Sequence, residues 1–135
     1  MMIDKTDWEF LHVGVIVRDI KAAYDFYTSL GFCTIDAPHQ PVAPTAERPR
    51  TTWISRVVRG GGMLELVQPE GQYVNREFLD TVGEGINHIA FSVADLEEET
   101  ARMNAMGFPV VFGNRRCGYF DTRRVGNVII ELIRR

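Results

Sequence analysis

The stretch Ile86-Asn87-His88-Ile89-Ala90-Phe91-Ser92-Val93-Ala94-Asp95-Leu96 decides the fold, because its pattern has already occurred once. The earlier copy is Phe10-Leu11-His12-Val13-Gly14-Val15-Ile16-Val17-Arg18-Asp19-Ile20. The offset is 88 − 12 = 76 residues, and at that spacing His12/His88, Val17/Val93, Asp19/Asp95, Gly31/Gly107 and Phe32/Phe108 are identical. A period of this kind makes the repeated unit the level at which to read structure. Each copy reads as a β-branched strand, an Asp, a helix, then Gly-Phe leading into a new strand. The Asp suits a helix N-cap, where its carboxylate accepts the orphan amide hydrogens of the first turn. The Gly suits a helix C-terminus, where the chain turns left-handed.

Outward from this repeat, the spacing predicts helices over residues 20–30 and 96–106. The first gathers Ile20, Ala23, Phe26, Tyr27 and Leu30 on one face, with Tyr24, Phe26 and Tyr27 read as core. The second gathers Leu96, Met103 and Met106, with Glu97-Glu98-Glu99 as a solvated first turn that the helix dipole favours. Strands follow at 32–37, 51–58 and 63–68, and again at 109–112, 118–122 and 128–133. Arg59-Gly60-Gly61-Gly62 reads as a hairpin turn, and Val125-Gly126-Asn127 as another. The chain is therefore expected to be an α+β fold of two tandem βαβββ modules, 10–70 and 86–134, in one domain spanning 1–135. The linker, 71–85, holds a short helix over 72–81 and a Gly83-Glu84-Gly85 break. Residues 37–50 carry Pro38, Pro41, Pro44 and Pro49 without periodicity and read as a long loop, with His39 on its surface.

Composition narrows the function. The 135 residues include 15 Lys+Arg against 18 Asp+Glu, a formal charge of −3 that offers no basic face for nucleic acid. With 45% hydrophobic and 24% charged residues the chain falls outside the disordered, collagen-like and coiled-coil classes. Cys33 and Cys117 are too few for a disulfide framework and read as reduced thiols. No apolar run approaches the ~18 residues of a membrane span. The first residues are polar and acidic, unlike a signal peptide, so a cytoplasmic location is expected.

The repeat also places His12 and His88 at equivalent positions, and each copy ends with a Glu inside an apolar strand: Met63-Leu64-Glu65-Leu66-Val67 and Val128-Ile129-Ile130-Glu131-Leu132-Ile133. A carboxylate in such a strand is costly to bury without a partner. A divalent cation is a natural partner, and two His with two Glu make a coherent ligand set. Co²⁺, Ni²⁺, Mn²⁺ and Zn²⁺ all suit these donors.

On the segments Leu11-His12-Val13-Gly14-Val15, Leu64-Glu65-Leu66, Asn87-His88-Ile89-Ala90-Phe91 and Ile130-Glu131-Leu132, the sequence resembles the vicinal oxygen chelate superfamily. That group includes glyoxalase I, methylmalonyl-CoA epimerase, extradiol dioxygenases and the fosfomycin- and bleomycin-resistance proteins. The resemblance implies a glyoxalase-like cupped mixed sheet around one metal, with His12, Glu65, His88 and Glu131 as ligands. Phe78-Leu79 followed by Gly83-Glu84-Gly85 and His88-Ile89-Ala90-Phe91 is most similar to the epimerase branch. Where those enzymes carry His-Pro-Lys before the last strand, this chain has Tyr119-Phe120-Asp121-Thr122.

The branch implies a metal-dependent isomerase that abstracts a proton alpha to a carbonyl through an enolate at the metal, acting on a small-molecule acyl-CoA such as methylmalonyl-CoA. The alternatives are a glyoxalase I-type lactoylglutathione lyase on a thiol–aldehyde adduct and a non-catalytic binding protein of the bleomycin-resistance type. Glu131 is the first candidate for the base and Glu47 the second. Arg48, Arg50, Arg115 and Arg116 read as solvated charges, with the option of holding a substrate carboxylate or phosphate. A homodimer is expected, because the family builds its cup within one chain or across two.

Overall fold

The computed structural model describes residues 7–36, 38–44 and 52–135. The element order is β1 (Glu9–Ile16), α1 (Ile20–Ser29), β2 (Cys33–Thr34), β3 (Gln40–Val42), β4 (Thr52–Arg59), β5 (Gly62–Gln68), α2 (Val74–Thr81), β6 (Gly85–Val93), α3 (Leu96–Ala105), β7 (Val110–Gly113), β8 (Cys117–Phe120) and β9 (Ile129–Arg134). The chain forms two compact units, one comprising His12–Asn87 and the other the N-terminal segment through Leu11 together with His88–Arg135. The expected α+β class and the repeated βαβββ order are both present, and each unit carries a mixed sheet.

In the first unit the strand order is β2-β4-β5-β1, with β3 paired to β4. β1 runs parallel to β5, and β4 and β5 form an antiparallel hairpin. That hairpin closes at Gly60 and Gly61, both at positive φ, as the two-residue turn of a tight hairpin demands. α1 starts where Asp19 accepts a hydrogen bond from the Ala22 amide at 3.1 Å. It stops at Gly31, whose φ of +90° no β-carbon would favour. A β-carbon there would also lie 2.5 Å from the Arg59 guanidinium, which donates to the Gly31 carbonyl. Val17, Ile20, Val57 and Leu66 form the core under α1, with Ala23, Tyr24 and Tyr27 packed against it. On another face of the unit, Leu79 of α2 covers Ile16 and Val67.

The second unit orders its strands β6-β9-β8-β7, with β6 parallel to β9 and both other pairings antiparallel. Asp95 caps α3 by accepting from the Glu98 amide at 3.0 Å. The core is Val93, Leu96, Met103, Phe120 and Leu132, joined by Trp8, Phe91, Phe108 and Ile130. The N-terminal segment is tied here by Trp8, which stacks near Phe91, and by Asp7, which accepts from Arg135 at 2.9 Å.

Four expectations are corrected. Phe26 is 58% exposed and Leu30 also faces solvent, because α1 packs through the narrower stripe of Ile20, Ala23, Tyr24 and Tyr27. Glu99 is 2% exposed instead of solvated. Helical spacing puts it with Leu96 and Met103, where it accepts from the Trp8 indole N–H at 3.2 Å and is paired with the Arg102 guanidinium at 2.9 Å. His39 is half-buried: its backbone amide donates to the Ser55 hydroxyl at 2.7 Å and its ring meets Tyr24 edge-on. The proline-rich stretch holds the short strand β3, whose Pro41 lies opposite Trp53 on the sheet margin. No helix among the described residues is long and apolar enough to cross a membrane.

Removing the Phe120 ring from a fully buried site should cost about 3–5 kcal/mol. Phe26→Ala should change stability by less than about 0.5 kcal/mol. Urea unfolding of the two variants against wild type measures the contrast directly.

Candidate metal centre

Strand alternation sorts the side chains of the first unit. In β5, Leu64 and Leu66 join the α1 core, so Glu65 and Val67 point to the opposite face. In β1 the same rule sends His12, Gly14 and Ile16 together, and Ile16 meets Val67. The parallel register sets Gly14 directly beside Glu65. His12 Nε2 then lies 3.5 Å from Glu65 Oε1, and both side chains are buried.

The second unit reproduces this arrangement. Ile130 and Leu132 of β9 pack in the α3 core, which turns Glu131 to the other face. His88 and Ala90 of β6 share that face, and the register sets Ala90 beside Glu131. His88 Nε2 lies 3.5 Å from Glu131 Oε1, again in a buried pair. The His residues are 76 apart but the Glu residues only 131 − 65 = 66. The first unit is longer because it inserts β3 and the flanking proline-rich residues between its second and third module strands.

The pair geometry fits metal ligation. At 3.5 Å the nitrogen and oxygen are farther apart than in a good N–H···O hydrogen bond of about 2.7–3.2 Å. Two donors each about 2.1 Å from one ion, at angles between square and tetrahedral, stand about 3.0–3.4 Å apart. Each unit thus presents one buried His–Glu pair whose donors suit a metal ion. Ligand-bearing strands on a packed sheet supply the rigidity such a centre needs.

Two neighbours had not been singled out from the sequence. Arg56 of β4 lies opposite Glu65, and its Nε donates to Glu65 Oε2 at 3.3 Å while another guanidinium nitrogen donates to Asp36 at 3.0 Å. Partial burial works against the Arg56 charge, but Glu65 and Asp36 outweigh it and hold the guanidinium above its ordinary pKa. Tyr119 of β8 lies opposite Glu131, with its ring centred 5.0 Å from that of His88. The Gly60-Gly61 turn carried the signal for Arg56: a two-residue hairpin pairing 59 with 62 must also pair 56 with 65. Tyr119 had no such signal, because a longer turn precedes β9. Glu47, Arg48 and Arg50 lie outside the described residues. Arg115 and Arg116 are exposed, as solvated charges are.

A family profile described as the Glyoxalase/Bleomycin resistance protein/Dioxygenase superfamily matches residues 11–126. A comparison with curated proteins finds no match. Among solved structures, the chain is similar to the methylmalonyl-CoA epimerase from Mycobacterium tuberculosis, with 24% identity over 98% of this chain and 92% of that one, at a TM-score of 0.72. A hypothetical protein from Bacillus halodurans aligns at 23% identity over 95% and 94% of the two chains, with a TM-score of 0.73. A variant Streptomyces coelicolor methylmalonyl-CoA epimerase, in complex with 2-nitronate-propionyl-CoA, aligns at 22% identity over 96% and 98%, with a TM-score of 0.70. At these identities the likeness establishes the fold.

A metal ion that binds only the folded chain stabilises it by mass action. Co²⁺ or Zn²⁺ at about 100 times its Kd should add about 2.7 kcal/mol, read as a rise in Tm that a chelator reverses. Glu65→Ala and Glu131→Ala should each lose most of that rise. A wild-type Tm indifferent to every divalent ion tried would remove the metal assignment.

Proposed function

The chain belongs to the glyoxalase/bleomycin resistance protein/dioxygenase superfamily, and we propose that it is a metal-dependent isomerase that removes and returns a proton alpha to a carbonyl. The substrate in this reading is an acyl-CoA or similarly activated acid, with methylmalonyl-CoA the first to test. The observation that carries the proposal is the twice-repeated buried His–Glu pair at ligand spacing. The similarity to epimerases, one of them holding an acyl-CoA analogue, supports the substrate class.

His12, Glu65, His88 and Glu131 would hold one divalent ion, with Co²⁺, Ni²⁺, Mn²⁺ and Zn²⁺ all compatible with the donors. When bound, that ion supplies Lewis acidity, which lowers the cost of negative charge on a substrate oxygen. The chain supplies the rest. Burial of the four ligands keeps bulk water away and strengthens every charge interaction there. Glu131 is the assigned base: its carboxylate takes the α-proton and returns it. Glu65 suits that role less, because Oε2 is already engaged by Arg56. Gly14 and Ala90, the small residues beside the two acids, leave room for a reacting group. The molecule is proposed to work as a homodimer, which sedimentation velocity would show as twice the 15.3 kDa chain mass.

The decisive experiment follows the α-proton of methylmalonyl-CoA by NMR in D₂O. Metal-loaded wild type should exchange it, and Glu131→Gln should slow exchange by about 10²–10⁴-fold. No exchange, together with turnover of a hemithioacetal, would replace this reading with the lyase.

A further inference from the structure

We propose that Arg56 is a positioning residue that makes Glu65 a one-oxygen ligand, with Asp36 holding Arg56 in place. This deepens the metal-site reading and rests on it. The geometry is a chain of three charged groups. Asp36 accepts from a terminal guanidinium nitrogen at 3.0 Å, Arg56 Nε donates to Glu65 Oε2 at 3.3 Å, and Glu65 Oε1 is the oxygen turned to His12 Nε2 at 3.5 Å. One carboxylate oxygen is therefore spent on the guanidinium and the other is presented to the imidazole.

The clamp is anchored at both ends. The tight Gly60-Gly61 turn sets Arg56 opposite Glu65, and the Asp36 carbonyl accepts the Thr34 hydroxyl at 2.6 Å. Arg suits this post because its planar fork reaches two acids at once, which a Lys ammonium on a flexible stem cannot do in the same way. The second unit is built differently. Tyr119, uncharged, stands opposite Glu131 where Arg56 stands opposite Glu65. Two His–Glu pairs related by the repeat thus face different residues, one a guanidinium and the other a tyrosine.

The sign of the effect makes the proposal testable. A guanidinium that merely competes with a cation for Glu65 would weaken metal binding, so its removal would tighten it. A guanidinium that orients Glu65 would strengthen binding, and partners of this kind are worth about 10–100-fold in affinity. Isothermal titration of the full-length protein with Co²⁺ gives the Kd, and the visible absorption of bound Co²⁺ reports the ligand geometry. Arg56→Met is expected to raise the Kd by about 10–100-fold and to alter the Co²⁺ bands. Arg56→Lys should stay weakened, and Asp36→Asn should weaken binding by less, in the same direction.

Unchanged or tighter binding in Arg56→Met, or full rescue by Lys, overturns the proposal. If Arg56→Met fails to fold, Asp36→Asn decides: weaker Co²⁺ binding with altered bands supports the clamp, and wild-type affinity and spectrum overturn it. Should wild type itself bind no Co²⁺, the metal-site reading falls first. Wild-type binding with unaffected variants sinks only the role given to Arg56.

Discussion

A carboxylate inside an apolar strand is the constraint around which this molecule is arranged. Glu65 and Glu131 are each 7% exposed, in strands whose neighbouring residues are hydrophobic. A buried charge of this kind is tolerated when it is paired, hydrogen-bonded or bound to a cation. Each acid has been given an imidazole at a distance too long for a good hydrogen bond and suited to sharing an ion. Replacing these acids with leucines would be the simpler solution for stability alone. The chain nevertheless carries the arrangement in both units.

The scaffold solves the placement problem with two elementary periodicities. Alternation along β5 and β9 sends Leu64, Leu66, Ile130 and Leu132 to the helix-covered cores and the acids to the other face. Parallel pairing of β1 with β5, and of β6 with β9, then brings each His-bearing strand alongside its Glu-bearing strand. Gly14 and Ala90 occupy equivalent places 76 residues apart, each next to an acid.

Much of this was legible in the residues because local signals and global fold agreed. His12 and His88, the Asp caps and the Gly helix stops all recur at one offset, and the structure shows the caps at Asp19 and Asp95 as hydrogen-bonded. Apolar periodicity was less dependable. Phe26 has the hydrophobicity of a core residue but lies off the packed stripe, and Glu99 has the charge of a surface residue but lies on it. In both cases tertiary neighbours decided: Phe26 meets the Tyr27 ring edge-on yet stays 58% exposed, while Trp8, 91 residues away in sequence, comes to satisfy Glu99. A partner that distant is invisible to any window along the chain. The pairing of His39 with Ser55 was hidden for the same reason.

The asymmetry between the units lies in the residue that stands opposite each acid. Two identical half-sites would give two acids of equal character. Glu65 is paired with the Arg56 guanidinium at 3.3 Å, which takes up one of its two oxygens. Opposite Glu131 stands Tyr119 instead. The repeat thus supplies the His–Glu pair in duplicate, and the residues opposite the two acids, one Arg and one Tyr, distinguish two otherwise equivalent glutamates.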